Sequence, residues 1–254
     1  MHRALRTPAI LLCSLVLIRC GGSERPAETV ASGPLVSPDL VNGATITGKV
    51  AYSGPKPAAR PIDMSANPQC ERTHKDHLVT AEDIVVNPNA TLRNVFVWVK
   101  SGLAPRNWAV PTTPVALEQQ YCMYRPHVIG VMTGQNIQIA NADPVNHNIH
   151  PVPEINQEWN DMQSPGEAPE IRSFSKQEIM IPVKCNVHPW MRAYIGVVSH
   201  PFFAVTGDDG SFTIKGLPPG TYTIQTWHEK FGTQEQQVTV GAKDSKAVDF
   251  SYKE

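Results

Sequence analysis

Charge of one sign is what this sequence conspicuously lacks: 22 Lys and Arg stand against 23 Asp and Glu, and charged residues are only 18% of the 254. Arg3, Arg6 and Arg19 precede Cys20 with no acid among them, so a chain beginning at Cys20 is mildly acidic. No basic surplus is left to neutralise phosphates, which argues against nucleic acid as a partner. Extended apolar runs are missing too, for the stretch Ala9–Ile18 falls well short of the roughly 20 residues a membrane-spanning helix needs. Runs of Ala, Leu, Glu and Lys are scarce, while 23 Pro and 17 Gly interrupt the chain. That excludes a helical bundle and leaves a turn-rich, all-β protein of one or two domains.

What is present begins with an address. Arg3 and Arg6 followed by the short apolar run have the form of a secretory signal. The sequence Leu17-Ile18-Arg19-Cys20-Gly21-Gly22-Ser23 resembles the bacterial lipoprotein signal, although Arg19 stands where that pattern has a small residue. The resemblance implies cleavage after residue 19, lipidation of Cys20 and attachment to a membrane in the periplasm or cell envelope. Residues 21–44, rich in Gly, Ser, Pro, Ala and Glu, read as a flexible tether. Of five cysteines, Cys13 leaves with the signal and Cys20 takes the lipid, so three remain in an oxidising compartment. The simplest account pairs Cys70 with Cys122 and leaves the Cys185 thiol to be held by something else.

The surroundings of Cys185 say what. Cys185-Asn186-Val187-His188-Pro189-Trp190-Met191 places a thiol, an imidazole and a thioether in the order Cys-x-x-His-x-x-Met, between two β-like runs. Thiolate and thioether favour Cu(I) and imidazole suits copper in both oxidation states. A trigonal His₂Cys set with a weak axial Met is the blue-copper electron-transfer site. The missing imidazole is assigned to His147, in Asn141-Ala142-Asp143-Pro144-Val145-Asn146-His147-Asn148 at the end of the alternating run Ile137–Ala140. Structural zinc sites prefer further Cys or His over Met. A binuclear copper centre needs a second cysteine in the loop, and a Cys185–His188 nucleophile pair has no signposted orienting residue.

Tyr124, Pro126, Ile129, Val131, Gly134, Ile137, Ile139, Asn141, Asp143 and His147-Asn148 together resemble the first half of a cupredoxin core. The loop 185–191 is similar in length and ligand order to that of the amicyanins. The resemblance implies a Greek-key β-sandwich over 105–200 with one type 1 copper per chain, held by His147, Cys185, His188 and Met191. It also implies that Asn148 locks the two ligand loops together with its backbone N–H toward the sulfur. His188 would then present its ring edge at the surface beside Pro189 and Trp190, and electrons would pass there. Trp190 could equally be a lid over the metal.

Around this module the pattern changes. Phe203–Ile214 reads as two strands about an Asp-Gly turn, followed by Gly216-Leu217-Pro218-Pro219-Gly220 and Tyr222–Trp227. This resembles the carboxypeptidase regulatory-like, prealbumin-like β-sandwich, and the strand at Gly48-Lys49-Val50 resembles its start. Residues 45–104 with 201–254 are therefore expected to supply a second sandwich, with no catalytic residue assigned to it. Of the remaining side chains, His74 and His77 read as exposed loop residues near Cys70, and His127 as hydrogen-bonded or at the surface. His150 is expected to face away from His147, and Met162 to sit on a mobile loop. The function expected is an exported electron carrier rather than an enzyme, working with a c-type cytochrome or a dehydrogenase. Copper delivery or storage, and a metal-free structural lipoprotein, are the alternatives.

Overall fold

A computed structural model describes residues 33–74 and 79–253. The expected signal 1–20, its Cys20, the first part of the tether and His77 lie outside the described residues. In chain order the elements are β1 (Ala44–Tyr52), α1 (Pro68–His74), β2 (Phe96–Ser101), β3 (Val115–Gln120), β4 (Met123–Arg125), β5 (Val128–Met132), β6 (Ile137–Asn141), β7 (His147–Pro151) and β8 (Asp161–Gln163). They continue with β9 (Glu170–Arg172), β10 (Glu178–Lys184), β11 (Arg192–Val198), β12 (Phe203–Val205), β13 (Ser211–Leu217), β14 (Gly220–His228), β15 (Gly232–Val240), β16 (Ser245–Ala247) and β17 (Phe250–Tyr252). The protein is all-β, with four sheets and one short helix among the described residues.

Two sheets come from the middle of the chain: β5-β11-β10-β7-β8 and β4-β3-β6-β9. Between them lies a core that includes Leu117, Tyr124, Ile137, Ile139, Ile149, Val183 and Ile195. The other two, β12-β2-β14-β15 and β1 with β13, β16 and β17, come from the flanking segments. Their core includes Ile46, Val97, Val99, Phe212, Ile214 and Ile224. β1 shows the alternation of a strand with one face covered: Ala44, Ile46, Gly48, Val50 and Tyr52 are buried. It pairs antiparallel with β13 and parallel with β16 and β17. Residues 33–43, expected as tether, lie against this sandwich instead. Val36 exchanges backbone hydrogen bonds with Asn107 and Ala109, and the Asp39 carboxylate takes the Val41 and Asn42 N–H groups.

β2 explains how the sandwiches meet. Phe96-Val97-Trp98-Val99 is buried without alternation, because Val97 and Val99 face one core while Phe96 and Trp98 face Val128, Met180 and Val198 of the middle sheets. The Phe96 ring fills a notch made by two glycines. A Cβ on Gly196 would come within 2.6 Å of that ring, and one on Gly130 within 2.6 Å of Phe203 and 2.8 Å of Phe96. The described residues accordingly pack as one compact unit. Phe96→Ala is expected to destabilise the protein by about 3–5 kcal/mol through the cavity it leaves. Urea unfolding checks this, and a change below about 1.5 kcal/mol would show that the notch is not a load point of the fold.

Candidate metal centre

Two chain segments deliver the donor atoms. The first is the turn before β7, shaped by Asn141, whose Nδ2 donates to the Val145 carbonyl and whose Oδ1 accepts the Asp143 N–H. This turn aims the Asp143 carboxylate at three donors: Tyr121 N at 2.7 Å, Cys122 N at 2.7 Å and His147 Nε2 at 2.8 Å. Burial works against the carboxylate's charge, but these bonds, His147 first, hold its pKa below the usual value. With its Nε2 fixed on Asp143, His147 turns Nδ1 inward.

The second segment is the connection between β10 and β11, whose register ends with Lys184 opposite Arg192. Cys185 N donates to the Met191 carbonyl at 3.3 Å and Met191 N to the His188 carbonyl at 3.0 Å, closing the loop on itself. His188 N–H points at Cys185 Sγ at 3.4 Å. The result brings three of the expected residues together. His147 Nδ1 and His188 Nδ1 are 2.9 Å apart, Cys185 Sγ is 3.8 Å from His188 Nδ1, and all three donor atoms lie within 4.8 Å of one another. Met191 is fully buried in the same core cluster as Cys185.

Cys185 is the free cysteine among the described residues, and its electrostatics are unusual. Burial would raise its pKa. Hydrogen bonds from His147 and His188 and from the backbone N–H groups of Asn148 and His188 outweigh it and bring the thiol down to about 6. The thiolate and Asp143 in turn hold His147 above the ordinary imidazole value despite its burial. The Asn148 side chain ties the two segments, its Oδ1 accepting Asn186 N–H at 2.6 Å and its Nδ2 donating to Asn160. Tyr124, which sequence reasoning used only as a core position, adds a second tie: its hydroxyl reaches the Asn148 and Lys184 carbonyls at 2.5 and 3.0 Å.

Two imidazole nitrogens at 2.9 Å can share one proton at most, and a thiol that ionises near pH 6 faces both. That donor set, with a thioether residue beside it, fits a soft or borderline cation such as copper. The second cluster of suitable atoms, Cys122, Asp143 and His147, is no separate site, because the Cys122 sulfur is bonded to Cys70 at 2.12 Å.

Three expectations need correction. His188 does not reach the surface; it is 1% exposed. Residues 62–74 cover it, with Asn67 Nδ2 at 2.7 Å and Cys70 Sγ at 3.6 Å from its Nε2. Trp190 is half-buried, with its ring centroid 5.0 Å from that of His188 and its Nε1 donating to the Cys122 carbonyl. His74 is not on a loop but ends α1 and bonds the Tyr121 carbonyl. Met162 lies on β8 and is exposed. His127 is buried between Glu229, at 2.7 Å, and the Arg192 carbonyl, while His150 bonds Asn186 and Glu158 away from the donor cluster.

Residues 192–253 match the family model described as the carboxypeptidase regulatory-like domain. No curated protein matches the chain. Among solved structures, similar ones are cupredoxins and a copper enzyme. The Cu-containing nitrite reductase from Thermus scotoductus SA-01 is 17% identical, over 45% of this chain and 27% of that one, at a TM-score of 0.31. The purple cupredoxin from Nitrosopumilus maritimus is 18% identical, over 33% and 98%, at 0.28. A Cu(I) amicyanin variant is 19% identical, over 40% and 97%, at 0.30. The chain thus spans about a quarter of the nitrite reductase and nearly all of the two small cupredoxins.

Proposed function

We propose that this chain binds one copper ion through His147, Cys185 and His188, with Met191 as a fourth residue that would hold it, and carries single electrons. The observation that bears this reading is the convergence of both Nδ1 atoms on a thiol whose pKa is brought down to about 6. When bound, copper would supply a one-electron Cu(I)/Cu(II) couple. The protein's part is to hold the donors still. Asp143 fixes His147, the self-closed loop fixes His188, and Asn148 with Tyr124 joins the two segments so that neither moves alone.

Burial favours this reading over delivery or storage. His147, Cys185, His188 and Met191 are each at most 3% exposed, which suits an ion that stays while an electron passes and hinders one that must be handed on. With His188 covered, half-buried Trp190 is the aromatic contact nearest solvent. We propose further that the chain is exported, anchored through lipidated Cys20 and served by a cytochrome or dehydrogenase. The sequence supports these assignments.

Titrating metal-free protein with copper is expected to give one bound ion per chain. Oxidation should produce an intense visible thiolate-to-Cu(II) band that ascorbate bleaches and an oxidised cytochrome c restores. Protein that binds one copper but stays colourless when oxidised would overturn the type 1 assignment. A band that exchanges no electrons with cytochrome on a seconds scale would favour storage.

A further inference from the structure

The cover over His188 is built from sequence outside both pairs of sheets, and it meets the ring with the Asn67 carboxamide and the Cys70 sulfur. Asn67 precedes Pro68, the first residue of α1, an arrangement that starts helices well. Its carbonyl accepts Glu71 N–H at 3.0 Å, and its Oδ1 accepts Cys70 N–H at 3.3 Å. The Cys70–Cys122 disulfide pins the helix onto the turn whose N–H groups bind Asp143. Met64 packs with both cysteines, Met123 and Val145, and half-buried Ile62 and Trp190 close the cluster. The helix thereby dictates which end of the Asn67 carboxamide faces His188: Oδ1 is engaged by Cys70, so Nδ2 lies 2.7 Å from His188 Nε2.

We infer that Asn67 is a positioning residue for His188, one that sets how strongly the ring can hold a metal. The inference rests on the reading of His147, Cys185 and His188 as metal donors. An amide N–H directed at Nε2 makes that nitrogen the acceptor and places the ring's proton on Nδ1, which faces His147 Nδ1. Cys70 Sγ, at 3.6 Å from Nε2, is too weak an acceptor to reverse this. A metal needs Nδ1 bare, with the proton on Nε2 and an acceptor opposite it. Asn67 can supply that acceptor only by turning its carboxamide over, which strips Cys70 N–H of its partner. The helix cap and the metal therefore compete for one oxygen.

Asn67→Asp separates the two demands, because a carboxylate caps the helix as well as the amide does and offers an oxygen to each side. Two measurements on the full chain test it. In metal-free protein, nitrogen-15 spectra of the imidazoles are expected to show His188 protonated at Nδ1 in the parent and at Nε2 in Asn67→Asp. In competition with a chromogenic chelator, Asn67→Asp is expected to hold Cu(I) about tenfold more tightly, the scale on which outer partners of ligating histidines act. Asn67→Ala should weaken binding and broaden the His188 signals. The same ring proton position in both proteins, or equal affinities, overturns the inference. A proton that moves while neither protein binds copper overturns the metal reading and leaves Asn67's hold on the ring intact.

Discussion

Replacing Cys185 with serine is expected to abolish the visible band of the copper-loaded, oxidised protein and to weaken copper binding by more than the 10–100-fold typical of losing an outer partner. The hydroxyl is nearly isosteric but does not ionise, so it offers neither the thiolate charge nor the soft sulfur that a bound copper would use. The fold has less at stake. The bond from His188 N–H can be redirected to a hydroxyl oxygen, and loop closure by Cys185 N and Met191 N uses backbone alone. Absorption spectra and chelator competition on parent and variant decide the matter, with urea midpoints as a check on folding. A variant that keeps both the band and the affinity would remove Cys185 from the site.

Acid is expected to act on the flanking sandwich. Burial lowers the pKa values of His200 and His228 to about 4, and each ring also accepts backbone hydrogen bonds. His200 sets Nε2 against the Val99 carbonyl and accepts Phe202 N–H on Nδ1. His228 accepts Lys230 and Phe231 N–H groups on Nδ1. Each ring has an acceptor nitrogen already used, so protonation breaks a backbone bond as well as burying a charge. Because the folded values lie below the ordinary 6.5, the unfolded chain takes up these protons first. The associated stability is present above pH 6.5 and is lost as pH falls through about 4, at roughly 3 kcal/mol for each histidine. Cys185 works in a higher window: its thiol is lowered from 9.0 to about 6, so its contribution is present above pH 9 and lost as pH falls through 6. Urea unfolding of metal-free protein between pH 7 and 4, with imidazole C–H resonances followed alongside, tests the assignment. Titration of either ring near 6.5 in the folded protein would refute it.

Sequence reading singled out the residues that the structure brings together, His147, Cys185 and His188, because chemistry is concentrated there. Cys185, His188 and Met191 stand within one short loop, and His147 follows an alternating strand, so residue type and spacing carried the argument. The disulfide followed from parity, since Cys70 and Cys122 were the cysteines left after Cys185 found another use. The cover over His188 was not legible. Asn67-Pro68 is a helix-start signal that could have located α1, yet nothing local in residues 62–74 says that they fold back across 121 residues onto a loop. In the sequence Asp143 stands only as part of a strand-end pattern. Its role depends on three donors, two of them backbone, that no side-chain pattern reveals. His127 met Glu229 through contact between sandwiches, a matter of tertiary packing that neither segment encodes alone.

β1 has a consequence for the order in which the chain can assemble. Its Lys49 N–H is met by Asp249, 200 residues later, and its parallel neighbours are the last strands described. The strands of the middle sheets all fall between Val115 and Val198, so they need no residue from either flank to pair. That inner module can therefore pair its own strands before β1 has met its parallel partners. Its closure carries the two flanking segments to the same place, where Trp98 pairs with Phe203. The search that β1 and the final strands would face across a long loop is thereby shortened, and the donor-bearing sandwich serves as the template on which its enclosing neighbour is finished.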